Sequence, residues 1–424
     1  MQNTPKSLRT HIAIMGKRNV GKSSLLNALT RQQAAIVSEF PGTTTDPVEK
    51  TMELFPLGPV VFIDTAGIDD KGEIGHLRVD RSLRVLKHSD IVIVTTEVSS
   101  WGKYEKDLIN IIKKRNIPLI VAINKIDLSD KTNNISQWLE KNAIYYIKTS
   151  AISKKGISGL RQLVIDSAPA GRFSNIGLVG DIVSPRDLIL MVGPLDIEAP
   201  VGRLKLPQVQ LIRNCLDHNA CCLMIKETEL GYFLSQLTNP PKMVVCESQV
   251  LAKVADKIPT GTLLTTFSVI LARFKGELEI FIDGAKQLKN LKTGDKVLIA
   301  EACTHPPVGE DIGTVVLPQL INERVGGKIT FEMCSGKDFR YSDLKRYKLV
   351  IHCGACMLNR QELISRTKTA QEQKVAITNY GLTIAYFNNL LDRVVQPFKK
   401  TNCQTISPFS PRTQKTDSSI LANK

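Results

Sequence analysis

Eight residues near the N-terminus constrain this chain more than any others. Gly16-Lys17-Arg18-Asn19-Val20-Gly21-Lys22-Ser23 follows a short β-branched run and precedes a helical pattern. That is the context in which a glycine-rich loop closes its backbone around phosphates. The N–H groups of the loop and the positive end of the following helix together make an anion site. Gly16, Asn19, Val20, Gly21, Lys22, Ser23 and Ser24 are therefore expected to bind phosphate. Lys22 is expected to reach the β- and γ-phosphates, and the Ser23 hydroxyl to bind Mg²⁺.

Three later motifs agree with this in order and spacing. Asp64-Thr65-Ala66-Gly67 ends an apolar run, with Asp64 on the magnesium side and the Gly67 amide near the γ-phosphate. In Asn124-Lys125-Ile126-Asp127, the Asp127 carboxylate can accept two hydrogen bonds from guanine N1 and its exocyclic amine, which adenine cannot supply. Thr149-Ser150-Ala151 offers the backbone amides of Ser150 and Ala151 to the guanine oxygen. Four such motifs, each at the end of an expected strand, predict a GTP site.

Between residues 12 and 172, strand patterns at 11–15, 60–64, 91–95, 118–124 and 145–149 alternate with helical ones such as 22–30 and 102–115. That alternation predicts a mainly parallel, doubly wound α/β sheet. The region resembles the translation-factor-like small GTPases that include the tRNA-modification and ribosome-assembly GTPases. In this resemblance Pro41-Gly42-Thr43-Thr44-Thr45-Asp46 is the first switch, and Thr44 completes the magnesium shell. Asn19 matches members that use a potassium ion as a built-in positive charge, with the Ser38 and Phe40 carbonyls and Thr43 as its further ligands. Ile68 stands where signalling GTPases carry a water-orienting glutamine. An isoleucine cannot hydrogen-bond water, so slow, potassium-stimulated hydrolysis is expected.

The chain has 424 residues, enough for about three domains at roughly 150 residues each. After the GTP-binding unit (1–172), a smaller α/β unit is expected over 173–258, with strands at 188–192, 220–225 and 242–245. A third α/β unit is expected over 259–396, with strands at 296–300, 329–333, 348–352 and 375–378 and a helix over 263–274. Residues 397–424 turn to Ser, Thr, Pro, Gln and Lys, the composition of a flexible tail.

The net charge is +15. Residues 1–172 hold 25 Lys and Arg against 17 Asp and Glu, and 397–424 hold five against one, so 173–396 is nearly neutral. The charge is spread out, and no aromatic-rich basic patch accompanies it. This argues against nucleic acid as the partner. No run is long enough for a membrane span and no signal peptide precedes the first strand, so a cytoplasmic protein is expected.

Nine cysteines without a secretory signal do not suggest a disulfide framework. Three of them stand out. Cys303-Thr304-His305 and His352-Cys353-Gly354-Ala355-Cys356 each follow an expected strand, where open α/β sheets carry their ligand sites. Three thiolates plus an imidazole suit tetrahedral zinc, and three thiolates suit a four-iron cluster equally well. The candidates for a fourth ligand are Glu301, His305 and His352: Glu301 and His305 lie on the Cys303 side of an extended chain and rank at or above His352, which points away unless the turn bends it.

The combination of these units resembles the FeFe-hydrogenase maturation GTPases, the HydF family. The stretch 196–208 (DIEAPVGRLKLPQ) carries the same resemblance. It implies a 4Fe–4S cluster on Cys303, Cys353 and Cys356, and a transient diiron cargo. The same resemblance implies a homodimer formed through the middle unit. It also implies a carrier role between radical-SAM maturases and apo-FeFe-hydrogenase. The alternative is an RNA- or ribosome-associated GTPase with a zinc-stabilised C-terminal domain.

Overall fold

The computed structural model describes residues 5–30, 48–65, 85–129, 131–168, 177–194, 204–302, 311–336, 339 and 341–399. The expected ligands Ser38, Phe40, Thr43, Thr44, Gly67, Cys303 and His305, and the residue Ile68, lie outside these.

The first unit is one six-stranded sheet. Its strands are β1 (Thr10–Met15), β2 (Val48–Leu54), β3 (Gly58–Asp64), β4 (Ile91–Thr96), β5 (Leu119–Ile123) and β6 (Tyr145–Lys148), in the order β2-β3-β1-β4-β5-β6. Only β2 runs antiparallel, pairing Val48 with Asp64 and Leu54 with Gly58. Helices α1 (Lys22–Thr30), α2 (Lys103–Lys114), α3 (Asn133–Lys141) and α4 (Ile157–Asp166) cover both faces. Alternate strand residues serve opposite cores. Ile12, Ile14, Ile91 and Ile93 pack with Leu25, Leu29 and Leu160 on one side. Ala13, Met15, Val92 and Val94 pack with Ile109 and Leu139 on the other. Each such buried aliphatic side chain contributes about 1.5–3 kcal/mol.

The second sheet holds four parallel strands rather than the three expected: β7 (Leu188–Val192), β8 (Cys221–Ile225), β9 (Met243–Cys246) and β10 (Leu263–Thr266), ordered β10-β9-β7-β8. Strand β10 comes from the stretch expected to be a helix throughout. Thr266 ends it by accepting the Val269 N–H on its side chain, which caps the helix Phe267–Lys275. The sheet thus continues past residue 259, where the sequence reading began the third unit. Helices α5 (Leu206–Asp217), α6 (Leu230–Gln236) and α7 (Leu251–Ala255) complete the unit, and Phe267–Lys275 is α8.

The third sheet is also parallel, with β11 (Lys296–Glu301), β12 (Thr330–Ser335), β13 (Leu349–His352) and β14 (Ala376–Asn379) in the order β12-β11-β13-β14. Around it lie α9 (Leu278–Lys286), α10 (Leu317–Val325), α11 (Arg360–Glu372), α12 (Tyr380–Phe387) and α13 (Leu391–Lys399). One apolar core runs through the second and third sheets, from Leu178 to Phe398. Arg393 on α13 ties the two together by donating to the carbonyls of Ala255 at 3.0 Å and Ile258 at 3.1 Å.

Candidate functional site

In the first unit, the phosphate loop leaves β1 and enters α1, and the other described motifs end β3, β5 and β6. All meet at the carboxyl ends of parallel strands, where a doubly wound sheet opens a crevice. Ser23 Oγ donates to Asp64 Oδ2 at 2.5 Å. The other oxygen, Asp64 Oδ1, is buried and has no partner among the described residues. Burial pushes the Asp64 carboxyl up, opposed by the Ser23 hydrogen bond and by the Lys22 and Lys50 ammoniums. A hydroxyl beside a buried carboxylate with an unsatisfied oxygen is a donor set that fits Mg²⁺. Lys22 folds back over the loop, its ammonium donating to the carbonyls of Lys17 at 2.7 Å and Gly16 at 3.0 Å. Gly21 adopts φ +90°, and a Cβ there would sit 2.4 Å from Asn124 Nδ2, so only glycine fits.

The motifs at the ends of β5 and β6 lock to the phosphate loop. The Asn124 side chain donates to the Val20 carbonyl at 3.0 Å and accepts from the Ala151 N–H at 3.2 Å and the Thr149 hydroxyl at 3.3 Å. Lys125 takes the left-handed conformation, and its ammonium pairs with Glu97 at 2.8 Å. Asp127 is exposed. Ser150 is fully buried and its hydroxyl accepts the Ser153 N–H at 3.1 Å, which shapes the loop presenting Ala151. Asn19 stands exposed and left-handed (φ 62°) on the phosphate loop, and Ser24 is half-buried on α1.

The second cluster of chemistry lies at the carboxyl ends of β11 and β13. Cys353 Sγ accepts N–H groups from Ala302 at 3.1 Å and Ala355 at 3.4 Å, so backbone donors aim at the sulfur. Such donors favour a thiolate, and a thiolate set is what zinc or an iron–sulfur cluster requires. Burial pushes the Cys356 thiol up, opposed by the Lys275 ammonium. Among the described residues no three His, Cys, Asp or Glu side chains converge as a metal site. Cys303 and His305 fall outside them.

Glu301 ends β11, and the Tyr380 hydroxyl donates to its Oε1 at 2.9 Å. His352 is fully buried and already engaged at both nitrogens. Nε2 is 2.9 Å from Arg366 Nη1, and Nδ1 is 2.9 Å from the Cys353 carbonyl. Burial first, and then the Arg366 guanidinium, lower its pKa to about 3. Both ring nitrogens of His352 therefore have partners in this arrangement.

Two residues without a sequence signal shape the site. Lys275, 1% exposed on α8, donates to the carbonyls of Leu358 at 2.8 Å, Cys356 at 3.0 Å and Ala355 at 3.3 Å. Tyr380 packs against Gly313 so closely that a Cβ on the glycine would lie 2.4 Å from the phenol oxygen. Both act across more than 60 residues of sequence, so no local pattern announces them.

Comparisons with known proteins find a family match in each of the three units. Residues 11–125 match the family model of the 50S ribosome-binding GTPase. The chain is 36% identical over 163 residues to the tRNA modification GTPase MnmE of Trichormus variabilis, which covers 38% of this chain and 35% of that protein. It is 34% identical over 171 residues to the GTPase Der of Persephonella marina, covering 37% of this chain and 38% of that one. The chain thus spans about a third of the length of the curated relatives it matches. The G domain of the T. maritima FeoB iron transporter aligns with 38% of this chain and 98% of its own, at 23% identity and a TM-score of 0.31. Residues 178–276 match the hydrogen maturase F dimerization domain, and 279–397 match the hydrogen maturase F tetramerization domain. These last two matches are consecutive and cover just over half of the sequence, and on them, joined to the GTPase match, the chain belongs to the hydrogen maturase F (HydF) family.

Proposed function

We propose that this protein binds and hydrolyses GTP with Mg²⁺ and acts as a scaffold and carrier in FeFe-hydrogenase maturation. One observation carries the reading: the Ser23–Asp64 pair beside the phosphate loop stands in the same chain as two hydrogen maturase F units. Ser23 and Asp64, with Thr44, would hold Mg²⁺. Lys22, the loop amides and Gly67 would bind the phosphates, and Asp127 with the Ser150 and Ala151 amides would select guanine. Hydrolysis is slow because Ile68 cannot orient water. It is stimulated by potassium held by Asn19, Thr43 and the carbonyls of Ser38 and Phe40, so turnover is faster in KCl than in NaCl.

Cys353 and Cys356, with Cys303, would hold a 4Fe–4S cluster, which supplies an iron site able to dock an incoming diiron unit. Glu301 and His305 are the better candidates for the exchangeable fourth ligand, because both nitrogens of His352 are committed elsewhere. A carboxylate or imidazole leaves iron more readily than a thiolate. Radical-SAM maturases would load the cargo, and the apo-hydrogenase would receive it. Two copies would pair through the second unit, in which β8 is an edge strand and Leu216 and Tyr232 are 59% and 64% exposed.

The guanine assignment is tested by Asp127→Asn. Its loss removes two charge-assisted hydrogen bonds, so preference for GTP over ATP should fall at least about tenfold in competition binding. Unchanged selectivity overturns the assignment. An RNA- or ribosome-associated GTPase with a zinc-stabilised domain would instead purify with zinc and bind RNA with a steep salt dependence.

A further inference from the structure

A continuous series of hydrogen bonds joins the GTPase sheet to the cysteine loop. It starts at His88, in the helical residues 85–88 that precede β4. The Asn359 side chain donates to the His88 carbonyl at 2.7 Å, and the His88 ring is hydrogen-bonded through Nδ1 to Glu362 Oε2. The Lys87 ammonium lies 3.3 Å from the centre of the Tyr341 ring. Three contacts therefore hold Lys87 and His88 against the third unit.

Glu362 faces both ways. While Oε2 meets His88, Oε1 accepts from the Tyr341 hydroxyl at 2.7 Å and from Arg366 Nε at 3.1 Å. Burial alone would push the Glu362 carboxyl up, but His88, Arg366 and Tyr341 more than offset it and hold it at about 2. Arg366, 1% exposed, donates onward to His352 Nε2 at 2.9 Å and to the Gly336 carbonyl at 2.7 Å. A guanidinium only donates, so His352 Nε2 accepts and Nδ1 carries the proton it gives to the Cys353 carbonyl. From Glu362 to His352 every member is buried. Losing one partner strands the next without water to replace it, so the series favours two discrete arrangements, docked or broken.

We propose that this contact is a latch: the docking of Lys87 and His88 on the third unit sets the placement of His352 and the Cys353–Cys356 loop, with Glu362 as the joint. The latch rests on the GTP reading above. In the docked state His352 is withheld from the cysteines. Release of Glu362 by His88 loosens Arg366 and frees His352. By linkage, whatever the nucleotide does to the latch, the latch does to nucleotide affinity.

Hydrogen exchange on the full-length, metal-free protein tests this, comparing GDP with a non-hydrolysable GTP analogue. The expected result is protection at residues 16–24 with either nucleotide. Between the two nucleotides, exchange over 350–366 should differ by at least about threefold. His88→Ala should abolish that difference while keeping protection at 16–24, and His88→Gln, which retains a donor toward Glu362, should restore part of it. Protection at 16–24 with no difference over 350–366, or a difference that survives in His88→Ala, overturns the latch alone. No protection at 16–24 removes the GTP reading and the latch with it.

Discussion

The side-chain amide of Asn124 donates to the carbonyl of Val20 at 3.0 Å, so the strand end that would read guanine also braces the loop that would hold phosphate. Asn124 is 1% exposed, and its oxygen takes the Ala151 N–H and the Thr149 hydroxyl. Asn124→Ala leaves all three groups without that partner, at about 1–3 kcal/mol for each buried group. Thermal unfolding of the variant should show the loss directly. Affinity for a fluorescent GTP analogue should fall by at least about tenfold, because the phosphate loop and the Thr149–Ala151 loop lose their common brace. Wild-type affinity in Asn124→Ala would separate the two loops.

Lys275 offers a second prediction, on the cysteine loop. Its buried ammonium satisfies three backbone carbonyls at Ala355, Cys356 and Leu358. Lys275→Met keeps the apolar stem and removes the donor. Urea unfolding of the metal-free protein should lose at least about 3 kcal/mol. Lys275→Arg, which keeps the charge, should lose less. Equal stability of Met and wild type would mean that water replaces the ammonium.

His352 makes stability depend on pH. Its folded pKa of about 3 lies below the ordinary 6.5. Between these values the unfolded chain binds a proton that the folded chain refuses. Its contribution is therefore complete above pH 6.5 and is lost as pH falls toward 3, with a slope of about 1.4 kcal/mol per pH unit. Urea midpoints of the metal-free protein between pH 7 and 5 should follow that slope, and His352→Gln should flatten it. A slope unchanged by the substitution would mean that other groups carry the dependence.

How far the sequence reveals this protein differs by element. The phosphate loop is legible because backbone conformation at Gly21 and chemistry at Lys22 and Ser23 demand fixed residue types at adjacent positions. The parallel strands are legible as apolar runs buried on both faces, such as Ile91–Thr96. Strand β2 is not, because Val48–Leu54 is an edge strand of mixed, half-exposed residues. Strand β10 merges with α8 into one apolar run, and only the Thr266 cap divides them. The cysteine spacing announces a site, yet its supports arrive from far away. Lys275 lies about 80 residues from its acceptors, and Tyr380 lies 79 from Glu301. The role of His352 shows the limit most clearly. Its neighbour Cys353 suggests a ligand, whereas Arg366, one helix later, claims its ring.

The central claim is that a GTP-binding unit and an iron–sulfur site share this chain, and anaerobic reconstitution tests it most directly. The full-length protein is supplied with iron and sulfide, then assayed for iron, zinc and visible absorption. The account predicts about four irons per chain and a broad visible band, both lost in a Cys353→Ala, Cys356→Ala double variant that still binds GTP. A colourless protein holding one zinc per chain, or full iron in the double variant, would contradict it.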